Sequence, residues 1–510
     1  MEIHNCDVAI IGCGPTGVVL ANLLGELGCK VVVLERETGI YPIPRATHID
    51  EETQRNFQAT GLMAELAQYT DPFGVMQFVD EKGSVLFEDI IQDTRSLHGY
   101  SGSCFFDQPA FERILRDGLL RFSNVSLHAG VAAECLDDTG DGVTISAKRL
   151  SDGASLVFKS GWVVGCDGGQ SLTRDAVGVC MDSFARKRRR WVIVDSLLKD
   201  RADAALIPDR FRYVFDPVRL TILAYGFGAN RRWEFQLNEG EEIPDDAEVL
   251  RWLSAFIDPQ RLNITRIVTY SHNAVVAKNW RVGRVFVAGD AAHMMPPSAG
   301  QGMCSGIRDA INLAWKLAVV ATGNANPELL DSYVQERRPH NIAVLKGTLF
   351  ISDRLQADNA LERWWRKLQA QIIAAIPPLQ ALLRHWSLRR PPLQSGFIDK
   401  TSRLAGRHIP QVKVEWMGSE VLLDDVFRYR FALLVKPELL TESIINWAAK
   451  RSIAVWRLGT DFHERQKLLE QWMREESLDF VLVRPDRYIF GAGPICEFEQ
   501  TQASFDDWWN

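Results

Sequence analysis

The feature that most constrains the fold is a glycine-rich turn between an apolar strand and a helix near the N-terminus. The turn has the spacing Gly12-x-Gly14-x-x-Gly17, and the β-branched strand that follows the helix ends at Glu35. Such glycines allow a tight turn and let backbone amides approach a pyrophosphate at the helix N-terminus. The acidic residue can accept hydrogen bonds from an adenosine ribose. We therefore predict a βαβ unit that opens a parallel, doubly wound sheet and binds a dinucleotide.

A second glycine-rich turn follows the apolar strand Val285-Phe286-Val287-Ala288. Asp290 lies at the strand end, where a carboxylate can hold a ribityl hydroxyl, and Pro297 and Gly300 precede a predicted helix over about 302–321. The positive end of this helix can face an isoalloxazine ring, and Asp309 is expected one helical face away from the turn. The turn alone could be an ordinary turn before a core helix. Paired with the first turn, it indicates FAD.

A third stretch, Val164-Gly165-Cys166-Asp167-Gly168-Gly169-x-Ser171-x-x-Arg174, completes the pattern. Together the three stretches resemble the single-component flavoprotein aromatic hydroxylases, the group typified by p-hydroxybenzoate hydroxylase. The closer resemblance is to the 3-(3-hydroxyphenyl)propionate hydroxylase family, and it covers nearly the whole chain, loosely in the C-terminal part. That resemblance is carried by Pro44-Arg45-Ala46-x-x-Ile49-Asp50-Glu51-Glu52, by Arg232-Trp233-Glu234-Phe235, and by Gly300-Gln301-Gly302-Met303-x-Ser305-Gly306-Ile307-Arg308-Asp309-Ala310.

The resemblance implies a set of FAD-binding residues. Those assigned to the ADP half are Gly12, Gly14, Pro15, Thr16, Gly17, Glu35 and Arg36. Those assigned to the isoalloxazine turn are Asp290, Pro297, Gly300, Gln301, Gly302 and Met303. Arg45 is implied to reach the pyrophosphate and Gln108 to lie near the ribityl chain. Many relatives have Asn where this chain has Cys304, so any contact of that amide with the flavin is lost.

The resemblance also implies NADH or NADPH as co-substrate. Asp167, Gly168 and Arg174 match the motif that the family associates with both FAD and the nicotinamide donor. The donor has no second Rossmann domain in this family, and the sequence contains no second fingerprint. The basic cluster Arg186–Arg190 could attract a phosphate-bearing donor, although such runs are more often solvated loops.

The predicted fold class is α/β, with four parts. A Rossmann-like FAD-binding domain is expected at 1–75, 100–185 and 280–330, with an inserted mixed-sheet substrate-binding domain at 76–99 and 186–279. A helical region and linker follow at 331–394. The tail, 395–510, resembles the thioredoxin-like domain of the phenol-hydroxylase branch. It has no C-x-x-C pair, so dithiol exchange is excluded and structural support or homodimer contacts remain.

Composition limits the partners and the compartment. A net charge of −7 argues against coating of nucleic acid. The sequence has no run of about 18 apolar residues, so no membrane span is predicted. The N-terminus lacks a basic region typical of a secretory signal. Nine irregularly spaced cysteines favour reduced thiols in the cytoplasm, without a disulfide framework or a metal site.

The function that the resemblance implies is hydroxylation of a phenolic or related aromatic ring with NAD(P)H and O2, through a C4a-hydroperoxyflavin. Removing the phenolic proton makes the ring carbon a better nucleophile, so a base is expected. His48 follows the pyrophosphate arginine and is the candidate, because imidazole titrates nearer neutrality than phenol. A histidine that is merely hydrogen-bonded to the loop is at least as consistent with the sequence.

Two other functions stay open at the level of the sequence. One is a tailoring or antibiotic-modifying flavin monooxygenase or epoxidase that acts on a polycyclic natural product. The other is not an enzyme but a flavin-bound redox sensor or scaffold, which would oxidise the donor slowly and without stimulation by any aromatic compound.

Overall fold

The computed structural model describes residues 3–90, 96–100, 102–185, 189–207, 210–357, 359–376 and 390–509. It begins with the predicted βαβ unit: strand Ile3–Ile11, helix Pro15–Glu26 and strand Val31–Glu35. The strands pair in parallel, Val8 opposite Val31. Proline suits the first helical position because its fixed φ is helical and it has no N–H to satisfy there.

The unit belongs to an eight-stranded sheet. Its main path runs in the order Arg281–Val282, Val285–Val287, Ser155–Gly165, Ile3–Ile11, Val31–Glu35 and Val125–Ala129; Val143–Arg149 and Val131–Asp138 extend it from Ser155–Gly165. Along the part of this path that runs from Val285–Val287 to Val125–Ala129, every pair of neighbouring strands is parallel. The carboxyl ends of the central parallel strands therefore meet at one edge, where open α/β sheets bind ligands.

Helices pack against this sheet and contribute many residues to the hydrophobic core that they share with it. The long helix Gln301–Ala321 packs against Pro15–Glu26 and is buried over nearly its whole length. Its apolar residues Ile307, Ala314 and Trp315 join the main hydrophobic cluster. Other helices of this region are Glu51–Gln58, Met63–Leu66, Gln108–Gly118 and Leu172–Ala176, with short 3-10 turns at Ala67–Tyr69, Leu119–Arg121, Gly289–Ala291 and Pro297–Ala299.

A second, seven-stranded sheet stands beside the first. Its order is Leu262–Ser271, Arg190–Leu198, Asn230–Gln236, Leu220–Tyr225, Phe211–Phe215, Val75–Asp80 and Val85–Ile90. Only the pairing of Phe211–Phe215 with Val75–Asp80 is parallel among those described. One face packs on helix Asp246–Leu253 through residues such as Trp233 and Phe235. Turns at Arg201–Leu206 and Pro259–Arg261 complete this layer.

Two small three-stranded sheets lie near the edge where the two large sheets approach. One contains His48–Ile49, Cys104–Phe106 and Thr70–Pro72; the other contains Met181–Ser183, Val275–Ala277 and His293–Met294. The chain then forms a turn at Pro327–Leu330 and the helices Asp331–Leu355 and Ala360–Ala375. None of the helices in the described ranges is both long and apolar enough to cross a membrane.

The C-terminal part has its own sheet and core. Four strands stand in the order Ala454–Arg457, Ala432–Val435, Phe480–Val483 and Ile489–Gly493, and a hairpin joins Lys413–Trp416 to Ser419–Leu422. The first pair is parallel and the next two are antiparallel. Helical segments are Leu423–Phe427, Pro437–Leu439, Glu442–Lys450, Leu468–Glu475, Ile495–Glu497 and Phe498–Trp509. This mixed α/β unit is the kind of domain that the thioredoxin resemblance implied.

The predicted fold class is confirmed. The Pro-rich stretch expected as a linker is packed where it is described: Arg390 forms ion pairs with Asp50 and Glu51, and Leu393 is buried. A half-buried arginine between two carboxylates is a structural contact that proline content alone does not indicate. The domain boundaries themselves stay predictions.

Candidate functional site

One continuous cavity of about 1660 Å³ brings nearly all the predicted site residues together. It runs from the N-terminal glycine turn, past the second turn, to the face of the seven-stranded sheet. The predicted residues that line it are Gly12, Gly14, Pro15, Thr16, Glu35, Arg36, Arg45, His48, Gln108, Asp167, Gly168, Asp290, Pro297, Gly300, Gln301, Gly302 and Met303. Gly17 and Arg174 lie behind this surface.

The first turn has the shape that a pyrophosphate needs. Gly12 has a φ of +98°, and a Cβ there would lie 2.4 Å from the carbonyl oxygen of Cys166, so no other residue fits. A Cβ on Gly14 would meet no atom within 4 Å, which leaves its backbone open to the cavity. The Glu35 carboxylate accepts a hydrogen bond from the amide of Cys13 at 2.7 Å and lines the same space. These residues fit the ADP half of FAD.

Side chains from distant elements support this turn. Arg116, on helix Gln108–Gly118, donates to the carbonyl of Cys13 at 2.9 Å and lines the cavity. The side-chain oxygen of Gln108 is already used within the protein, because it accepts from the amides of Arg45 and Ala46 at 2.9 and 2.7 Å. It therefore fixes the loop that presents Arg45. The sequence patterns did not reveal Arg116, which stands two helical turns after the glutamine.

The second turn presents Asp290 to the same cavity. The side chain is open to the cavity but surrounded by protein, and this burial raises the pKa of the Asp290 carboxyl. Asp309 is not one face away from the turn, as expected, but holds it directly. Its carboxylate accepts from the amide of Gly289 at 3.1 Å, contacts His293 Nε2 at 2.8 Å, and accepts from Arg337 at 3.0 Å. Helical periodicity placed Asp309 in the core but could not reveal a contact with a preceding turn.

The start of helix Gln301–Ala321 is tied to the loop after Arg45. Gln301 Nε2 donates to the Asp50 carboxylate at 3.0 Å, and Arg308 pairs with the same carboxylate at 2.6 Å. Arg308 and Arg390 hold the pKa of Asp50 well below its usual range. Cys304 is fully buried rather than directed at the cavity, and burial raises the pKa of its thiol to about 12. The backbone of the flavin turn is therefore positioned without the amide side chain that many relatives have.

The third motif braces the cavity wall. The Asp167 carboxylate accepts from the backbone amide and the hydroxyl of Thr173, both at 2.9 Å, in the first turn of the short helix Leu172–Ala176, whose N-cap is Ser171. Arg174 is buried and donates to the carbonyl of Ala291 at 3.3 Å, next to Asp290. These contacts link the motif to the second turn. The role of Asp167, Gly168 and Arg174 toward a nicotinamide donor stays a prediction, and part of the basic cluster, 186–188, lies outside the described residues.

His48 lies directly against the second turn. Gly300 has a φ of +59°, and a Cβ there would fall 1.7 Å from His48 Cε1, so the imidazole packs onto the glycine backbone. The ring also lines the cavity, 5.6 Å from that of Phe73. Burial lowers the pKa of His48, which keeps the imidazole neutral, with one ring nitrogen free to accept a proton, and also disfavours the imidazolium that results. In the described part of the chain no hydrogen bond ties this ring to its loop.

Aromatic residues of the seven-stranded sheet, with Phe73 from the loop before it, form the far wall. Phe78 stacks on Tyr213 with ring centroids 5.2 Å apart and an interplanar angle of 10°, and Phe73 stacks on Phe211 at 5.4 Å. All four line the cavity. Flat walls of this kind suit a planar ring. The described residues include no group of three or more metal-ligating side chains.

Sequence comparison places this architecture among known proteins. The model of a family described as an FAD binding domain matches residues 5–348, and that of the HcaD C-terminal domain matches residues 406–507. The chain is 33% identical over 516 residues to 3-(3-hydroxy-phenyl)propionate/3-hydroxycinnamic acid hydroxylase of Klebsiella pneumoniae strain 342, covering 95% of this chain and 91% of the relative. The protein of that name from Escherichia coli O8 strain IAI1 is 31% identical over 526 residues, with the same coverage.

Solved structures share the fold at lower identity. The flavin-dependent monooxygenase PieE, in complex with FAD and substrate, superposes with a TM-score of 0.85 at 21% identity, over 99% of this chain and 98% of that one. A ternary complex of aklavinone-11 hydroxylase with FAD and aklavinone gives a TM-score of 0.79 at 21% identity, over 99% of this chain and 100% of that one. At this identity the likeness is one of fold.

Proposed function

Because the chain belongs to the FAD-binding family of aromatic hydroxylases, we propose that it hydroxylates a phenolic ring that carries an acidic side chain, with NADH or NADPH and O2. The single observation that carries this proposal is the continuity of the cavity between the two cofactor turns and the aromatic wall. Its volume of about 1660 Å³ exceeds the roughly 300–1,000 Å³ typical of one small-molecule site. The space therefore suits a cofactor and a substrate together.

When bound, FAD supplies the hydride acceptor and the activation of O2. The residues of the chain hold the substrate ring, exclude water and control one proton. Phe78 and Tyr213 offer the ring a flat apolar surface on the sheet side. Burial among such side chains removes water, which would otherwise divert oxygen from the ring.

His48 is placed to accept the proton of the phenolic hydroxyl. Its ring lies between Gly300 of the flavin turn and Phe73 of the aromatic wall, where cofactor and substrate would meet. A neutral imidazole can take this proton, and the resulting phenolate has more electron density on the ring carbon that is to be hydroxylated.

Two arginines that line the cavity support the proposal that the substrate ring carries an acidic substituent. Arg354 and Arg366 line the part of the cavity formed by helices Asp331–Leu355 and Ala360–Ala375. A guanidinium group binds a carboxylate with two parallel hydrogen bonds. The relatives at 31–33% identity are named for a hydroxyphenylpropionate and a hydroxycinnamic acid, both of which are phenolic acids.

The test is turnover of a substrate panel by the FAD-loaded protein. The panel contains 3-hydroxyphenylpropionate, 3-hydroxycinnamate, a phenol without an acidic chain, and a polycyclic phenol, each with NADH and NADPH. We expect phenolic acids to stimulate donor oxidation most, and mass spectrometry after reaction under ¹⁸O2 to show one labelled oxygen in the product. Stimulation by the polycyclic phenol alone would favour a tailoring enzyme instead. Donor oxidation that no aromatic compound stimulates would contradict hydroxylation.

A further inference from the structure

A single row of side chains crosses the seven-stranded sheet on the face toward the cavity. Cross-strand pairing sets the members of this row side by side, and each lines the cavity. In order they are Val268, Ile193, Glu234, Ile222, Tyr213, Phe78 and Phe87. The row is thus apolar at both ends, with one carboxyl group near its middle.

Glu234 is buried, with 7% of its surface exposed, between two aliphatic neighbours. In the described ranges its carboxyl group has no hydrogen bond and no ion pair. Arg232, two residues earlier on the same strand, is already engaged: it pairs with Asp195 at 2.6 Å and donates to the carbonyls of Pro44 and Arg45. Arg266 pairs with the other oxygen of Asp195.

An unpartnered carboxyl group in such a place is costly to the folded protein. Burial without a hydrogen bond disfavours a polar group, and a charged one still more. Consistent with this, burial raises the pKa of Glu234, and Asp195 adds to the effect although Arg232 opposes it. Unfavourable groups of this kind persist where a ligand satisfies them.

We propose that the carboxyl group of Glu234, as a neutral acid, forms a hydrogen bond with the ring hydroxyl of the aromatic substrate, and so selects rings that carry one. Its carbonyl oxygen accepts from the hydroxyl of the bound phenol, and its own O–H donates to the phenolate oxygen after His48 has taken the phenolic proton. This inference rests on the proposed function, since it takes the sheet face to be the substrate wall. The hydroxyl would satisfy a carboxyl oxygen while the ring lies along Tyr213 and Phe78 of the same row. A ring without a hydroxyl would leave that oxygen buried and unpaired, which is a strong basis for rejection.

The test measures binding, so it does not depend on turnover. The FAD-loaded protein is titrated with 3-hydroxyphenylpropionate and with 3-phenylpropionate, and binding is followed by the change in flavin absorption. We expect the wild type to bind the hydroxylated probe about tenfold to a hundredfold more tightly, the range expected when the other probe leaves a buried polar group unpaired. Glu234→Leu should lose this preference, Glu234→Gln should keep most of it, and Glu239→Leu, at an exposed position, should keep all of it.

The melting temperature separates this role from a structural one. Because the carboxyl group has no partner in the described protein, Glu234→Leu should fold, retain FAD and melt no lower than the wild type. A Glu234→Leu protein that does not fold or that melts well below the wild type would make Glu234 structural and overturn the proposal. A wild type without preference for the hydroxylated probe, or a Glu234→Leu protein that keeps it, would also overturn it. Hydroxylation by the wild type in the substrate panel reports separately on the proposed function.

Discussion

At the scale of single residues, Asp290 offers the most direct test of the cofactor site. Asp290→Ala should weaken FAD binding by about tenfold to a hundredfold, because the ribityl chain would lose a hydrogen bond to a carboxylate. Asp290→Asn should lose less. The measurement is the dissociation constant of FAD for the deflavinated protein, and Asp141→Ala, at an exposed position, is the matched control. Unchanged affinity in Asp290→Ala would remove this residue from the site.

The structure shows why Asp309 cannot serve as that control. It accepts hydrogen bonds from Gly289 and Arg337 and contacts His293, all of them buried. The sequence revealed Asp290 because it follows a strand and precedes a glycine turn. It did not reveal that Asp309 holds the second turn, because that role depends on how a helix packs against an earlier turn. A local sequence pattern contains no information on such packing.

Loss of the His48 side chain should change how tightly donor oxidation is coupled to hydroxylation, and should leave the FAD content unchanged. His48→Ala should lower product formation by about 10²–10⁴, the usual range for general-base help, while donor oxidation continues and hydrogen peroxide accumulates. The defect should shrink as pH approaches the phenolic pKa of about 10, because solvent then supplies phenolate. Product per donor consumed, measured against pH, decides the matter.

His48→Gln is the companion variant for this test. It keeps a polar side chain of similar size against Gly300 but cannot act as a base, so it should share the coupling defect and retain FAD. Fully coupled turnover in both variants would refute the catalytic role. Loss of FAD with normal coupling in the remaining holoenzyme would instead assign His48 to packing against the flavin turn.

At the scale of elements, a buried ion pair fastens the helix beside the cavity to the C-terminal region. Arg55 of helix Glu51–Gln58 donates to both oxygens of Asp424 at 2.7 and 2.8 Å and to the carbonyl of Ile409. Arg55→Ala should lower the free energy of unfolding by about 3–5 kcal/mol, because it leaves a carboxylate buried with one partner fewer. Thermal or urea unfolding would show this.

The exposed pair Arg149–Asp152 is the control for that prediction. Arg149→Ala should change the free energy of unfolding by less than about 0.5 kcal/mol, since surface pairs contribute little. An Arg55→Ala protein as stable as the Arg149→Ala protein would contradict the assigned role of the buried pair.

Elements with a strong local pattern could be predicted, and contacts between distant elements could not. The helix predicted over about 302–321 is observed as Gln301–Ala321, and the strand predicted to end at Glu35 is observed as Val31–Glu35. Arg55 and Asp424 are 369 positions apart, and neither lies in a pattern that indicates the other. The same holds for Glu234: its motif was visible, but its place in the cavity row depends on the register of seven strands.

At the scale of the whole molecule, several histidines are buried where a positive charge is disfavoured. Burial lowers the pKa of His98, His272 and His408 to about 3 in each case. His98 and His408 meet edge to face at 5.0 Å, near Glu52, where the C-terminal region contacts the FAD-binding part. His272 stacks on Trp191 in the second sheet. Proton-sensitive histidines therefore lie both at the contact of the C-terminal region with the FAD-binding part and at the seven-stranded sheet.

These histidines should make the protein sensitive to mild acid. Their pKa in the folded protein lies below the unfolded value of about 6.5. The free energy of unfolding is therefore not reduced by these histidines above pH 6.5, and it decreases as pH falls from 6.5 toward 3. The loss is about 1.4 kcal/mol per histidine per pH unit. Ion-paired carboxylates act only at lower pH: Arg484 and Lys316 lower the pKa of Glu336 to about 2, so its contribution is lost below its unfolded value of about 4.5.

The melting temperature of the holoprotein should thus fall clearly between pH 7.5 and pH 5.5, before ion-paired carboxylates such as Glu336 titrate. His272→Phe keeps a ring against Trp191 but cannot gain a proton, so it should reduce the difference in melting temperature between the two pH values. His463→Gln, at an exposed position, should leave that difference unchanged. A wild-type melting temperature that stays constant down to pH 5 would show that the buried imidazoles do not control acid stability.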